Sequence, residues 1–178
     1  MNELSSQVFN KTTTAEWLIL GVGNPILSDD GVGVHVVRKL QKKYSHIPAL
    51  EFDELSTGGL SLAERFIGYK KVIMIDALAL ENGTPGEVHK LTIDEFKTTI
   101  HMYCAHDCNL PTAYDVLKKE LGAEKLPEEV IIIGIEAERF DEFSESLSPK
   151  VEQAVPKAVL MVEEEIKKIL PKLNEKKK

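Results

Sequence analysis

Cysteine is almost missing from this chain, with only Cys104 and Cys108 among 178 residues. Two thiols cannot supply a disulfide framework for a domain this long, and their spacing holds one more residue than a C-x-x-C redox motif, so a reducing compartment is expected. Positive charge is also in short supply. Lys and Arg number 22 against 29 Asp and Glu, a net charge of −7, which leaves no global basic field to gather nucleic acid or an anionic membrane. No apolar run approaches the ~18–20 residues needed to cross a bilayer. The opening MNELSSQVFNKTTTAEW has neither a basic n-region nor an apolar h-region, so no secretory leader is expected. Glycine and proline, at 11 and 8, are too ordinary for a fibrous repeat or a largely disordered chain. The expectation is a cytoplasmic protein with neither nucleic acid nor membrane as partner.

Apolar residues make up 43% of the chain, enough for one substantial core and too few residues overall for two large domains. Residues 1–15 read as a flexible N-terminal segment, 16–170 as a single α/β domain, and 171–178 (PKLNEKKK) as a basic flexible tail. WLILGV (17–22), KVIMIDAL (71–78) and EEVIIIGIEA (128–137) are continuous apolar runs of strand length, read as strands buried on both faces. ALEFDEL (49–55) alternates with period two, and EVHKLT has the thin apolar content of an edge strand. Helical spacing occurs at Val32, Val36, Val37 and Leu40 and in LSLAERFIG, closed by Gly68. A further helix is expected over 110–121, stopped by Gly122. In the closing helix Val155, Val159, Val162, Ile166 and Ile169 share one face, and Pro156 is expected to break or kink its beginning. Strands alternating with helices predict a mainly parallel sheet covered on both faces, with the working site beyond the carboxyl ends of the strands.

Three chain positions near those ends carry chemistry. GVGNPILSDDGVGV (21–34) joins the first strand to the first helix and holds two glycines, an asparagine and the adjacent acids Asp29 and Asp30. Its glycines permit close backbone approach, so the acids or the loop amides could face a ligand; equally, Ser28 or Asp29 could cap the helix and Asp30 favour its dipole. A dinucleotide fingerprint fails, because G-x-G-x-x-G needs a small residue where Ile26 stands and two carboxylates repel a pyrophosphate. Asp76 follows directly on an apolar run, where an ionised carboxylate needs a partner. HMYCAHDCN (101–109) brings His101, His106, Cys104 and Cys108, typical ligands for borderline and soft metals. Two carboxylates and an imidazole with open positions would suit an exchangeable divalent transition ion such as Ni²⁺ or Zn²⁺.

LILGVGNPILSDDGVGVHVV, KVIMIDAL, the AHD segment and GIEAERF…LSPKVEQAVPKAV closely resemble, in order and spacing, the nickel–iron hydrogenase maturation endopeptidases. The resemblance spans about residues 17–170 and rests on the long motif G-x-G-N-x-x-x-x-D-[DE]-x-x-G. It implies a three-layer α/β/α sandwich around a twisted, mainly parallel sheet with an antiparallel edge strand. It also implies a protease that trims a C-terminal extension from the hydrogenase large-subunit precursor after nickel insertion. Asp30, Asp76 and His106 take the positions of the metal ligands, with nickel arriving in the precursor and cadmium or zinc able to occupy the same site. The chain departs from the family where many members have D-G-G-T and it has Ser56-Thr57-Gly58-Gly59, so that any acid role there is lost or passes to Asp53 or Glu54. The family's P-E-S is Ala137-Glu138-Arg139, leaving Glu138 as the matching acid.

The catalytic set expected from these positions is Asp30, Asp29 and Asp76. Asp29 or Asp30 would serve as base toward a water, and amides between Gly21 and Asn24 as oxyanion donors. No Ser–His–Asp elbow or catalytic Cys motif is present, which disfavours an acyl-enzyme. The same three ligands would equally serve a non-catalytic assembly chaperone that senses nickel in the precursor.

Overall fold

The structure, a computed structural model, describes residues 14–80, 82–98, 102–103 and 110–175. In chain order the elements are β1 (Trp17–Val22), a 3-10 turn (Ser28–Gly31), α1 (Val32–Tyr44), β2 (Leu50–Leu55), α2 (Gly59–Glu64), β3 (Lys71–Leu80), β4 (Val88–Thr92), α3 (Ile93–Thr98), β5 (Met102–Tyr103), α4 (Leu110–Leu121), β6 (Glu129–Glu136) and α5 (Pro149–Glu175). Five strands lie in the order β2-β1-β3-β6-β4, and short β5 pairs with the far end of β3. β2, β1, β3 and β6 are mutually parallel, whereas β4 runs antiparallel along the β6 edge and β5 antiparallel to β3. The mixed sheet flanked by helices is the architecture expected from the sequence, including the edge placement of EVHKLT.

The apolar runs become central strands because both of their faces are covered. Along β3, Val72, Met74 and Leu78 join one buried cluster with Leu62, Phe66, Leu110 and Tyr114 of the α2/α4 side. Ile73, Ile75 and Ala77 join the other with Val36, Leu40, Val155 and Val162 of α1 and α5. Each such apolar side chain contributes about 1.5–3 kcal/mol when fully buried. β3 also continues past the expected end: it pairs with β6 through Leu78↔Glu136 and with β5 through Leu80↔Met102, so Asp76 lies within the strand rather than closing it. α3 and β5 lie where the sequence offered no periodic signal.

Pro156 does not break α5. The helix starts at Pro149 and runs through to Glu175, also past the start assigned to the tail. Pro149 occupies the first helical position, where a fixed φ and a missing N–H cost nothing. Val151, Ala154, Val155, Ala158, Val162 and Ile166 then anchor one face in the core, while Pro156 is exposed, so the carbonyl it leaves undonated faces water. No helix among the described residues is long and apolar enough to cross a membrane.

Candidate active site

β1 is followed in sequence by β2 on one side of it and then by β3 on the other. The crevice at the carboxyl ends of β1 and β3 is therefore the topological switch point, the usual ligand position in an open α/β sheet. The loop after β1 and Asp76 of β3 both lie there.

Glycines let the backbone layers meet at this point. A Cβ on Gly33 would come within 2.2 Å of the Ile75 carbonyl oxygen and 2.5 Å of that of Val22, and one on Gly21 within 2.5 Å of the Gly33 oxygen. The start of α1 thus presses directly on the ends of β1 and β3. Gly23 turns the chain at φ +125°, beside the Asp30 carbonyl, a conformation that L side chains rarely adopt. These are the glycines of the long motif, and each is fixed by backbone approach rather than by phosphate binding.

Asp29 and Asp30, adjacent in the 3-10 turn, have different surroundings. Asp29 is 0% exposed, and its carboxylate accepts hydrogen bonds from three backbone amides: Ser148 (2.6 Å) on Oδ1, and Glu138 (3.3 Å) and Arg139 (3.2 Å) on Oδ2. It clamps the loop after β6 and the start of α5 to the loop after β1. The Asp29 amide returns a bond to the Arg139 carbonyl, and Ser144 exchanges bonds with Ile26 and Ser28. Asp30, 2% exposed, accepts the Asn24 amide on Oδ2 at 2.7 Å. Ser28, at φ +47°, is a non-glycine residue in the left-handed region, and such outliers cluster at functional sites. Neither Ser28 nor Asp29 caps α1: its N-cap is Gly31, with no side-chain bond, and the Ser28 hydroxyl donates to the Ser146 carbonyl.

Asp76 is 1% exposed, and its Oδ1 accepts the neighbouring Ala77 amide at 2.8 Å. By strand alternation it shares a face with Met74 and Leu78, the α2/α4 face. The 3-10 turn packs against β3, so the turn carrying Asp30 and the strand carrying Asp76 adjoin at the switch point. His106, with His101, Cys104 and Cys108, lies outside the described residues. Just before it, β5 pairs with Ala79–Leu80 at the end of β3, and just after it α4 begins at buried Leu110.

The amides expected as oxyanion donors are engaged elsewhere. The Gly23 amide donates to the Leu55 carbonyl, and the Asn24 amide is committed to Asp30. The substituted β2 end also has defined partners. Ser56 donates its hydroxyl to the Gly23 carbonyl at 3.1 Å, a role that its sequence position alone did not suggest. Asp53 pairs with Arg65 at 2.6 Å and Glu54 with Arg38 through two bonds of 2.8 Å, so both acids are held in ion pairs. Glu138 is exposed and reaches the clamp through its backbone. A cavity of about 460 Å³ lies between α1 and α5, lined by His35, Lys39, Leu147, Glu152 and Val155. Burial, then Arg38 and Lys39, hold the His35 imidazole below its ordinary value. This cavity is on the sheet face opposite Asp76, and neither Asp29, Asp30 nor Asp76 lines it.

Residues 34–165 match the family model described as hydrogenase maturation protease. A protein of Methanocaldococcus jannaschii named among the hydrogenase maturation proteases is 33% identical over 156 residues, covering 85% of this chain and 96% of its own. The hydrogenase 2 maturation protease of Escherichia coli is 26% identical over 89% of this chain and 90% of its own. Among solved structures, the [NiFe] hydrogenase maturation protease HybD from Thermococcus kodakarensis superposes with a TM-score of 0.63 at 28% identity, covering 84% of this chain and 97% of that one.

Proposed function

Because the chain belongs to the hydrogenase maturation protease family and is a peptidase, we propose that it removes the C-terminal extension of a nickel–iron hydrogenase large-subunit precursor once nickel has been inserted. The observation that carries this reading is a pair of almost fully buried carboxylates, Asp30 and Asp76, on adjoining elements at the β1/β3 switch point. Carboxylates with a histidine form a donor set suited to a divalent transition ion.

In this proposal the nickel belongs to the substrate. Asp30, Asp76 and His106 contact the nickel already held by the precursor, which fixes the scissile peptide bond beside the loop after β1. Asp30 takes a proton from a water whose oxygen attacks the peptide carbonyl carbon. The C–N bond then breaks, the leaving amine receives the proton, and the new carboxylate stays on the large subunit. Asp29, whose two oxygens already accept three backbone amides, holds Asp30 in place rather than moving protons.

The test is incubation of the purified protein with nickel-loaded and nickel-free precursor, followed by mass measurement of the large subunit. Nickel-loaded precursor should lose its C-terminal peptide and nickel-free precursor should not. Asp76→Ala and Asp30→Ala should each lower cleavage by a hundredfold or more while leaving the thermal transition in place. Full-length precursor bound but uncut by the wild type would support the chaperone role instead, and normal cleavage by Asp76→Ala would remove that residue from the site.

A further inference from the structure

On the same face of the sheet as Asp76, but at the β4 edge, three donors that the proposed reaction does not use come together. Glu136 ends β6, while Glu87 and His89 belong to the approach and body of edge strand β4. His89 lies opposite Gly134, which in turn lies opposite Asp76, so the three occupy one row across β4, β6 and β3. The missing side chain at Gly134 is filled by Leu78, which a Cβ there would approach to 2.1 Å. Leu78 therefore stands in the row between Asp76 and the Glu136–His89 pair.

A bulge gathers the donors. Gly86, at φ +90°, donates its amide to the Glu136 carbonyl at 2.8 Å, and the Glu136 amide donates to the Glu87 carbonyl at 2.8 Å. Gly86 and Glu87 together thus face the single residue Glu136, the pattern of a G1 bulge, which re-aims side chains beside functional sites. One ligand atom each from Glu87, His89 and Glu136 fall within 4.8 Å of one another. His89 Nε2 is 2.5 Å from Glu136 Oε1. The Thr84 amide donates to Glu136 Oε2, and Gly83 closes over the same oxygen, where a Cβ would collide with it.

Two observations go beyond an ordinary surface ion pair. Like charges on facing strand positions are destabilising, yet Glu87 and Glu136 face each other across the bulge and Glu136 has a side chain only 4% exposed. A carboxylate oriented by a backbone amide, beside an imidazole and with a second acid on the solvent side, is also how proteins prepare a metal ligand and its outer support. We propose that Glu87, His89 and Glu136 form a second cation site, for a divalent transition ion of the zinc, cobalt or nickel class, separate from the acids at the switch point. Ligand distances of about 2.0–2.2 Å would place the ion beside both His89 Nε2 and Glu136 Oε1 after they part by roughly one ångström. Glu87, exposed, would close the third position, with water completing the shell. One nitrogen and two carboxylates favour these ions over calcium or magnesium, which prefer all-oxygen shells.

Calorimetric titration of the full-length protein with Zn²⁺ tests this, using the wild type, Asp76→Asn, His89→Gln, Glu136→Gln and Glu87→Gln. The expected result is one zinc equivalent that survives in Asp76→Asn, is lost in His89→Gln, and weakens at least tenfold in Glu87→Gln. If Glu136→Gln fails to fold, Glu87→Gln keeps the test open, because Glu87 is exposed and its replacement should leave the zinc-free melting temperature unchanged while reducing the zinc-induced rise. Wild-type zinc stoichiometry and affinity in both His89→Gln and Glu87→Gln would overturn the proposal. So would loss of every zinc equivalent in Asp76→Asn, which would place all binding at the switch point. Neither result depends on whether the precursor is cleaved.

Discussion

A carboxylate taken from water into a protein interior loses several kcal/mol of hydration, by rough estimate, unless donors replace the water. At Asp29 the replacements are three backbone amides from two distant segments, at 2.6, 3.2 and 3.3 Å. Each amide left unsatisfied costs about 1–3 kcal/mol, less where water can enter. Asp29→Ala should therefore lower the unfolding free energy by about 3 kcal/mol in urea titration, a size reserved for buried polar networks. A loss under about 0.5 kcal/mol would mean that the clamp is not holding these loops. The sequence placed both acids in the loop after β1 and, by resemblance, gave Asp30 the ligand position, but no local signal showed the clamp at Asp29. The clamp depends on the positions of Ser148, Glu138 and Arg139 in space. Ser56 was equally hidden: its bond to Gly23 crosses 33 positions of chain.

Elements with a strong period were legible and those governed by context were not. The three continuous apolar runs became β1, β3 and β6, and the spacing at Val32, Val36, Val37 and Leu40 became α1, because burial on one or two faces imposes those periods directly. Pro156 shows the opposite case. A local penalty predicted a boundary, yet the core contacts of α5 on both sides of it outweigh one missing hydrogen bond. The penalty should still be measurable. Pro156→Ala restores the amide for the Glu152 carbonyl and should raise stability by about 1–3 kcal/mol, seen as a higher melting temperature. An unchanged or lower melting temperature would show that the helix needs the proline's shape at this position. β5 and α3, too short to display a period, required the sheet around them to become visible.

At the scale of the molecule the two ends of the sheet do different work. The carboxyl ends of β1 and β3 hold the buried acids proposed above to act on the precursor, while the opposite end holds a structural charge cluster. There Glu165 of α5 takes bonds from Lys71 of β3 at 3.0 Å, Lys90 of β4 at 2.5 Å and Lys168 at 2.6 Å. Burial pushes the Glu165 carboxyl up, but the hydrogen bonds from Lys168, Lys90 and Lys71 outweigh it and hold the group at about 2, below its ordinary 4.5. A depressed folded-state value stabilises above the unfolded value and is lost as pH falls toward 2. The unfolding free energy of the wild type should thus exceed that of Glu165→Gln at neutral pH, and the gap should shrink between about pH 4.5 and 2. A gap independent of pH would mean that the lysines do not act on this charge. By itself the sequence determined the layer order, the buried strands and the loop that carries the acids, because periodicity and glycine placement are local records of burial and close approach. Tertiary structure alone decided that Asp29 clamps the loops around it. It also decided that Glu87, His89 and Glu136 gather across a bulge, because a pairing register between distant strands leaves no trace in the spacing of residues along the chain.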